Sequence, residues 1–135
     1  MARLSASWKQ TLALYFAEYQ NARADRRLLR ALAEQFVGQK ILAAQGPELC
    51  YWSRAARGST AEMDFLTVVN KTIHPVEVKS DASGRLRSLH LLLKTYPSCG
   101  QGLVFSMAPF AELPAQKVKF LPLYFAHAAN RTVSS

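Results

Sequence analysis

The chain has 135 residues, half of them hydrophobic, which is enough to bury one core but not two. Its 17 Lys and Arg against 9 Asp and Glu leave a formal charge of +8, which favours polyanionic partners: nucleic acid or an anionic membrane surface. No apolar run approaches the ~20 residues of a membrane-spanning helix, and the N-terminus carries no secretory pattern. Cys50 and Cys99 stand far apart in no metal-ligand spacing, so free thiols in the cytoplasm are expected.

From the N-terminus, Trp8, Leu12, Tyr15, Phe16 and Tyr19 recur at three- and four-residue steps, predicting a helix over 7–20 that Ser7 can cap. A longer helix is expected from Arg26 to Ala44, with Leu29, Leu32, Ala33, Phe36 and Val37 on its buried arc. Gly46-Pro47 should stop it, glycine by a left-handed cap and proline by lacking an N–H. The period then drops to 2. Strands are predicted over 49–54, 61–69 and 73–79, with 55–60 as a loop and Asn70-Lys71 as a tight turn. Pro75 is compatible with a strand start or an edge.

Helical spacing returns at Leu86, Leu89 and Leu93, with Arg87 and Lys94 on the opposite face and Pro97 as the stop. Residues 102–107 should form a buried strand. Residues 117–126 should form a last strand at an edge, because of Pro122, before a frayed tail. The order α-α-β-β-β-α-β-β describes one α/β domain, a mixed β-sheet flanked by helices. Residues 1–25 are a helical extension, 26–127 the core and 128–135 the tail.

Three charges interrupt the apolar strands: Asp64, Glu77 and Lys79. Residues two apart on a strand share a face, so Glu77 and Lys79 point one way, and Val76 and Val78 the other. If the preceding strand pairs antiparallel, Asp64 approaches Glu77 on the same sheet face. Two close carboxylates repel unless a cation lies between them, and an oxygen-only pair suits Mg²⁺ or Mn²⁺. Such an ion activates water for attack on a phosphodiester, and a neighbouring lysine can orient that water and stabilise the charge that builds on phosphorus. The bland alternative for Glu-x-Lys on a strand is an exposed ion pair worth under about 1 kcal/mol.

The pattern resembles the PD-(D/E)xK nuclease superfamily, in which a helix bearing a Glu precedes a three-strand meander with Asp on its second strand and Glu-x-Lys on its third. The resemblance implies a restriction-endonuclease-like fold, with Asp64 and Glu77 as metal ligands and Lys79 and Glu34 as catalytic residues. The proline that precedes the Asp in that superfamily is replaced here by Met63. The blocks "ALAEQFVGQKIL", "CYWSRAARGSTAEMDFLTV", "IHPVEVKSD", "RSLHLLLKTYP" and "LPLYFA" are similar, in order, to the DUF4143 domain that follows ATPase modules in prokaryotic AAA+-type proteins. This similarity spans about residues 28–126. It implies DNA as substrate and an ATPase module as partner; the chain has no G-x-x-x-x-G-K-[ST] loop of its own, and a free-standing domain and a piece of a longer ATPase both fit. A dimer is a further option, and a catalytically silent docking or nucleic-acid-binding module is the rival function.

The remaining features have two readings each. Glu34 either reaches the site across the helix–sheet interface or is a boundary acid. Glu62 is an auxiliary ligand or a rim charge. Arg54, Arg57, Lys71, Arg85, Arg87 and Lys94 form a phosphate-tracking surface or an ordinary solvated face, and the cluster at 23–30 can equally serve solubility. Ser80 and Ser83 could hold a phosphate at a helix start or simply cap it. His74, His90 and His127 share no ligand spacing, and Tyr51 and Trp52 suit sheet packing.

Overall fold

The structure, a computed structural model, describes residues 26–46, 48–79 and 86–128. The expected helix over 7–20, the tail, Ser80, Ser83 and Arg85 lie outside these residues.

Helix α1, Arg26–Gln45, buries Ala33, Phe36, Val37 and Ile41 at helical spacing and turns its polar residues outward. Gly46 ends it at φ 105°, with its N–H donating to Leu42 O at 3.0 Å, the left-handed stop that a side chain would resist. Gly38 sits in mid-helix, where glycine is normally unfavourable by about 0.5–1 kcal/mol. Its reason is contact, because an added Cβ would lie 2.9 Å from Phe65 Cζ.

Strands β1 (Cys50–Ala56), β2 (Ser59–Val69) and β3 (Thr72–Val78) form an antiparallel meander. Its first turn is tighter than expected: residues 55 and 56 are strand, and only Arg57 and Gly58 turn. The second turn is Asn70-Lys71, at φ 51° and 65°, the left-handed pair that a two-residue hairpin requires.

Helix α2, Arg87–Thr95, then crosses over to β4, Gly102–Ser106, which runs parallel to β3. Next come a three-residue strand β5, Ala111–Leu113, and a 3₁₀ turn, Pro114–Gln116. Strand β6, Val118–Pro122, and a second 3₁₀ segment, Leu123–Ala128, complete the order. The sheet order is β1-β2-β3-β4-β6-β5.

Two expectations about the last strand are corrected. It stops at Pro122, because Leu123 and Ala126 turn into the core as a 3₁₀ segment. It is also not an edge: β5 pairs antiparallel along it and takes the edge position, protected by its shortness and by the Glu112–Lys119 ion pair at 3.0 Å. Pro122 is tolerated because it is the strand's final residue. Pro75 lies inside a central strand, but just before the residues that pair with β4.

The sheet has an apolar layer on each face. Helix α1 and the last 3₁₀ segment cover Val76, Val78, Leu103, Phe105 and Leu121. Helix α2 lays Leu89, Leu92 and Leu93 on Met63, Val104 and Val118. Phe105 is fully buried, worth about 1.5–3 kcal/mol by area alone. The central strands, covered on both faces, read as apolar runs, so any charge inside them stands out. Among the described residues, no helix is long and apolar enough to cross a membrane.

Candidate active site

The regular β2–β3 ladder runs from the Asn70-Lys71 turn as far as the Phe65–Val76 pair. There β2 bulges: Cys50 faces Leu66 and Trp52 faces Met63, so Tyr51 alone opposes Asp64 and Phe65. Side-chain alternation breaks at the same place. Met63 and Leu66 pack in the α2 layer, while Phe65 packs toward α1. The Val78 N–H, which a continued ladder would give to a backbone carbonyl, donates instead to Asp64 Oδ2 at 2.7 Å. A carboxylate has taken the place of a backbone partner.

This corrects the simple face argument. Val76 and Val78 both enter the α1 layer, so Glu77 and Lys79 turn toward the side of α2. The Asp64 carboxylate lies between the end of β3 and α1, where Arg30 Nη2 approaches Asp64 Oδ1 to 3.9 Å. The two acids do not form a cross-strand pair, yet the charge of Glu77 still acts on Asp64. Among the described residues, no group of three or more His, Cys, Asp or Glu is arranged to hold a metal ion.

Each acid is held by one oxygen. Glu77 Oε1 pairs with Lys79 Nζ, while Glu77 Oε2 is buried with no hydrogen-bond partner. Leaving such a group unpartnered is expensive, and native proteins mostly avoid it. The Lys79 backbone is fixed as well, its N–H donating to Phe105 O at 2.8 Å. Burial pushes the Asp64 carboxyl up to about 6, and the charges of Glu34 and Glu77 push it the same way. The Val78 N–H and Arg30 oppose them without cancelling the shift. Perturbed acids of this kind concentrate at functional sites.

Glu34 reaches this region indirectly. Its Oε1 accepts from Arg30 Nε at 2.6 Å, and Arg30 bridges toward Asp64. Sequence reasoning passed over Arg30 as part of a basic cluster. The signal that could have found it is its four-residue spacing from Glu34 on one helix face. Ser106 ends β4 beside Lys79, buried, its Oγ accepting the Ala108 N–H at 3.1 Å.

The cationic residues divide. Arg54 lies exposed on edge strand β1, Arg57 in the β1–β2 turn and Arg87 at the start of α2, all toward the bulged end. Lys71 sits in the β2–β3 turn, at the opposite end of the hairpin from Glu77 and Lys79, and Lys94 lies in the last turn of α2. They do not line one continuous track. Glu62 is exposed, its N–H near Ser88 Oγ at 3.4 Å. His74 is buried and its Nδ1 meets Gln101 O at 3.0 Å; Trp52 meets Tyr96 edge-on. Neither joins the site. Cys50 and Cys99 are free thiols.

Fold and site together define a mixed α/β domain with a carboxylate–lysine group at the carboxyl end of a parallel strand pair, where open sheets of this kind bind ligands. The chain belongs to the family described as a domain of unknown function, DUF4143, whose model matches residues 29–125. No curated protein and no solved structure matches the chain.

Proposed function

We propose that this domain is a restriction-endonuclease-like, metal-dependent nuclease that hydrolyses phosphodiester bonds in DNA. One observation carries the reading: Asp64 and Glu77 are each anchored through one oxygen, and Glu77 Oε2 is left buried without a partner. Asp64 Oδ1 meets nothing closer among the ion pairs than the Arg30 guanidinium at 3.9 Å. Two spare carboxylate oxygens fit Mg²⁺ or Mn²⁺, which keep several waters and need few protein ligands. The α1-β1-β2-β3-α2-β4 order and the net charge of +8 agree with the reading.

Asp64 and Glu77 would hold the cation, which when bound supplies a more acidic water and neutralises charge on the phosphate. Lys79, fixed through its backbone to β4, carries its ammonium beside Glu77, where it can orient a water and stabilise charge developing on a phosphate oxygen. Glu34 acts through Arg30 rather than on the reacting atoms. Arg54, Arg57 and Arg87 would meet the DNA backbone. The site is proposed for a cytoplasmic protein working beside an ATPase module.

The test is Mg²⁺ and Mn²⁺ titration with plasmid and branched DNA. Glu77→Ala and Lys79→Ala should each lower cleavage by about 10²-fold or more. Absence of metal-dependent cleavage on every substrate, or cleavage that neither change affects, would sink the proposal. A second reading, a silent docking or DNA-binding module, is favoured by the cations already paired with both acids. Under it, Asp64→Ala leaves salt-sensitive DNA binding unchanged and no substrate is cut.

A further inference from the structure

We infer that Arg30 is a built-in competitor for the cation at this site: its guanidinium pairs with both Glu34 and Asp64, and a divalent ion binds Asp64 Oδ1 by displacing it. The inference rests on the reading that Asp64 and Glu77 hold metal. Its own support is geometric. Arg30 stands one helical turn before Glu34, and its Nε donates to Glu34 Oε1 at 2.6 Å. The other arm of the same fork, Nη2, lies 3.9 Å from Asp64 Oδ1. That is the oxygen which Val78 leaves free, since the Val78 N–H is committed to Oδ2. The one Asp64 oxygen available to a metal is therefore the one that Arg30 addresses.

A divalent ion on Asp64 Oδ1 would stand within a few ångströms of the guanidinium, and the two like charges repel, so each state disfavours the other. Displacement is feasible because the Arg30 side chain is 61% exposed, and an ion pair at such a position is weakly held. Arg30 also feels the charges of Glu34, Asp64 and Glu77, so its departure leaves Glu34 and Asp64 without their cation, which a metal would then replace. Glu34 gains a defined role. It keeps Arg30 docked over the site and so raises the metal concentration the site requires.

The experiment is Mn²⁺ binding to the full chain without DNA, followed by electron paramagnetic resonance, for wild type, Arg30→Ala, Arg27→Ala and Asp64→Asn. Arg27→Ala removes the same charge from the same helix and controls for long-range field effects. Arg30→Ala is expected to tighten Mn²⁺ binding by about fivefold or more, and Arg27→Ala by less than about twofold. Asp64→Asn is expected to abolish the binding. Equal or weaker binding by Arg30→Ala, or an equal gain from Arg27→Ala, overturns the competition; if Asp64→Asn still abolishes binding, the metal site itself stands. No Mn²⁺ binding by wild type or by Arg30→Ala overturns the metal reading and the competition together.

Discussion

The two ends of the β2–β3 hairpin are built on opposite terms. At the turn end, Val69 pairs with Thr72, Val68 with Ile73 and Thr67 with His74, without a break. Of the buried polar groups there, His74 is satisfied by Gln101 O and packs over Gly100, whose backbone N–H in turn donates to Ile73 O, while the Thr67 hydroxyl has no hydrogen-bond partner. At the other end a bulge stops the ladder, a carboxylate substitutes for a carbonyl, and a Glu77 oxygen is buried with nothing to bond. Regular pairing leaves over only a neutral hydroxyl, Thr67 Oγ1, whereas the irregular end leaves over a carboxylate oxygen, which a cation can bond. The irregular end is locally unfavourable, and under the proposed function that is what would equip it to bind a cation.

The titrating groups at the two ends sharpen the contrast. Burial lowers the pKa of His74, with Lys117 adding to the effect, and raises Asp64 to about 6; each thus prefers its neutral form. For His74, whose folded value is lowered, the stability of the neutral ring is fully present above the ordinary value of 6.5 and is lost as pH falls below it through the lowered folded value. For Asp64, whose folded value is raised, the stability of the neutral acid is complete below about pH 4 and is lost as pH rises through about 6. At neutral pH the turn end therefore holds a neutral ring, while the bulged end holds a buried anion.

Three substitutions test this contrast. The largest effect belongs to Gly100→Ala: its Cβ would fall 2.0 Å from His74 Cε1, so the ring must leave its site. A loss of about 2–3 kcal/mol in denaturant unfolding is expected, with Mn²⁺ binding unchanged. A neutral result would show that the turn end is looser than its pairing suggests. Asp64→Asn, which can keep the hydrogen bond from the Val78 N–H, should stabilise the metal-free chain by on the order of 2 kcal/mol above pH 7 and by nothing below about pH 4. Melting curves across that range, with and without Mg²⁺, would reveal a wild-type Asp64 that is not strained if the two proteins run parallel. The smallest effect is Lys71→Gly, which relieves a left-handed residue at φ 65° and should add up to about 1 kcal/mol. Because Lys71 lies at the far end of the hairpin, DNA affinity and its salt dependence should stay the same; a clear loss of affinity would return Lys71 to the interface.

Much of the fold was legible in the sequence because it rests on local terms. Helix α1, its glycine stop, the Asn70-Lys71 turn and the switch in period after Gly46 each follow from side-chain spacing or from backbone freedom at one residue. Strand β5 was missed: its three residues are all exposed and carry no periodic signal. The end of β6 was misjudged because Leu123 and Ala126 read as strand residues until the core's shape turns them into a 3₁₀ segment.

The candidate site divides in the same way. By itself, the sequence determined that Asp64, Glu77 and Lys79 interrupt apolar strands, since charges in such runs are visible without any partner. It also set Glu77 and Lys79 on one face, because alternation within a strand is local. Only the tertiary structure decided that Asp64 sits in a bulge, that it takes the Val78 N–H, and that Arg30 stands over its free oxygen. Those facts depend on register between strands and on the seat of α1 against the sheet. Both are set by packing among residues far apart in the chain, which no spacing within one segment records.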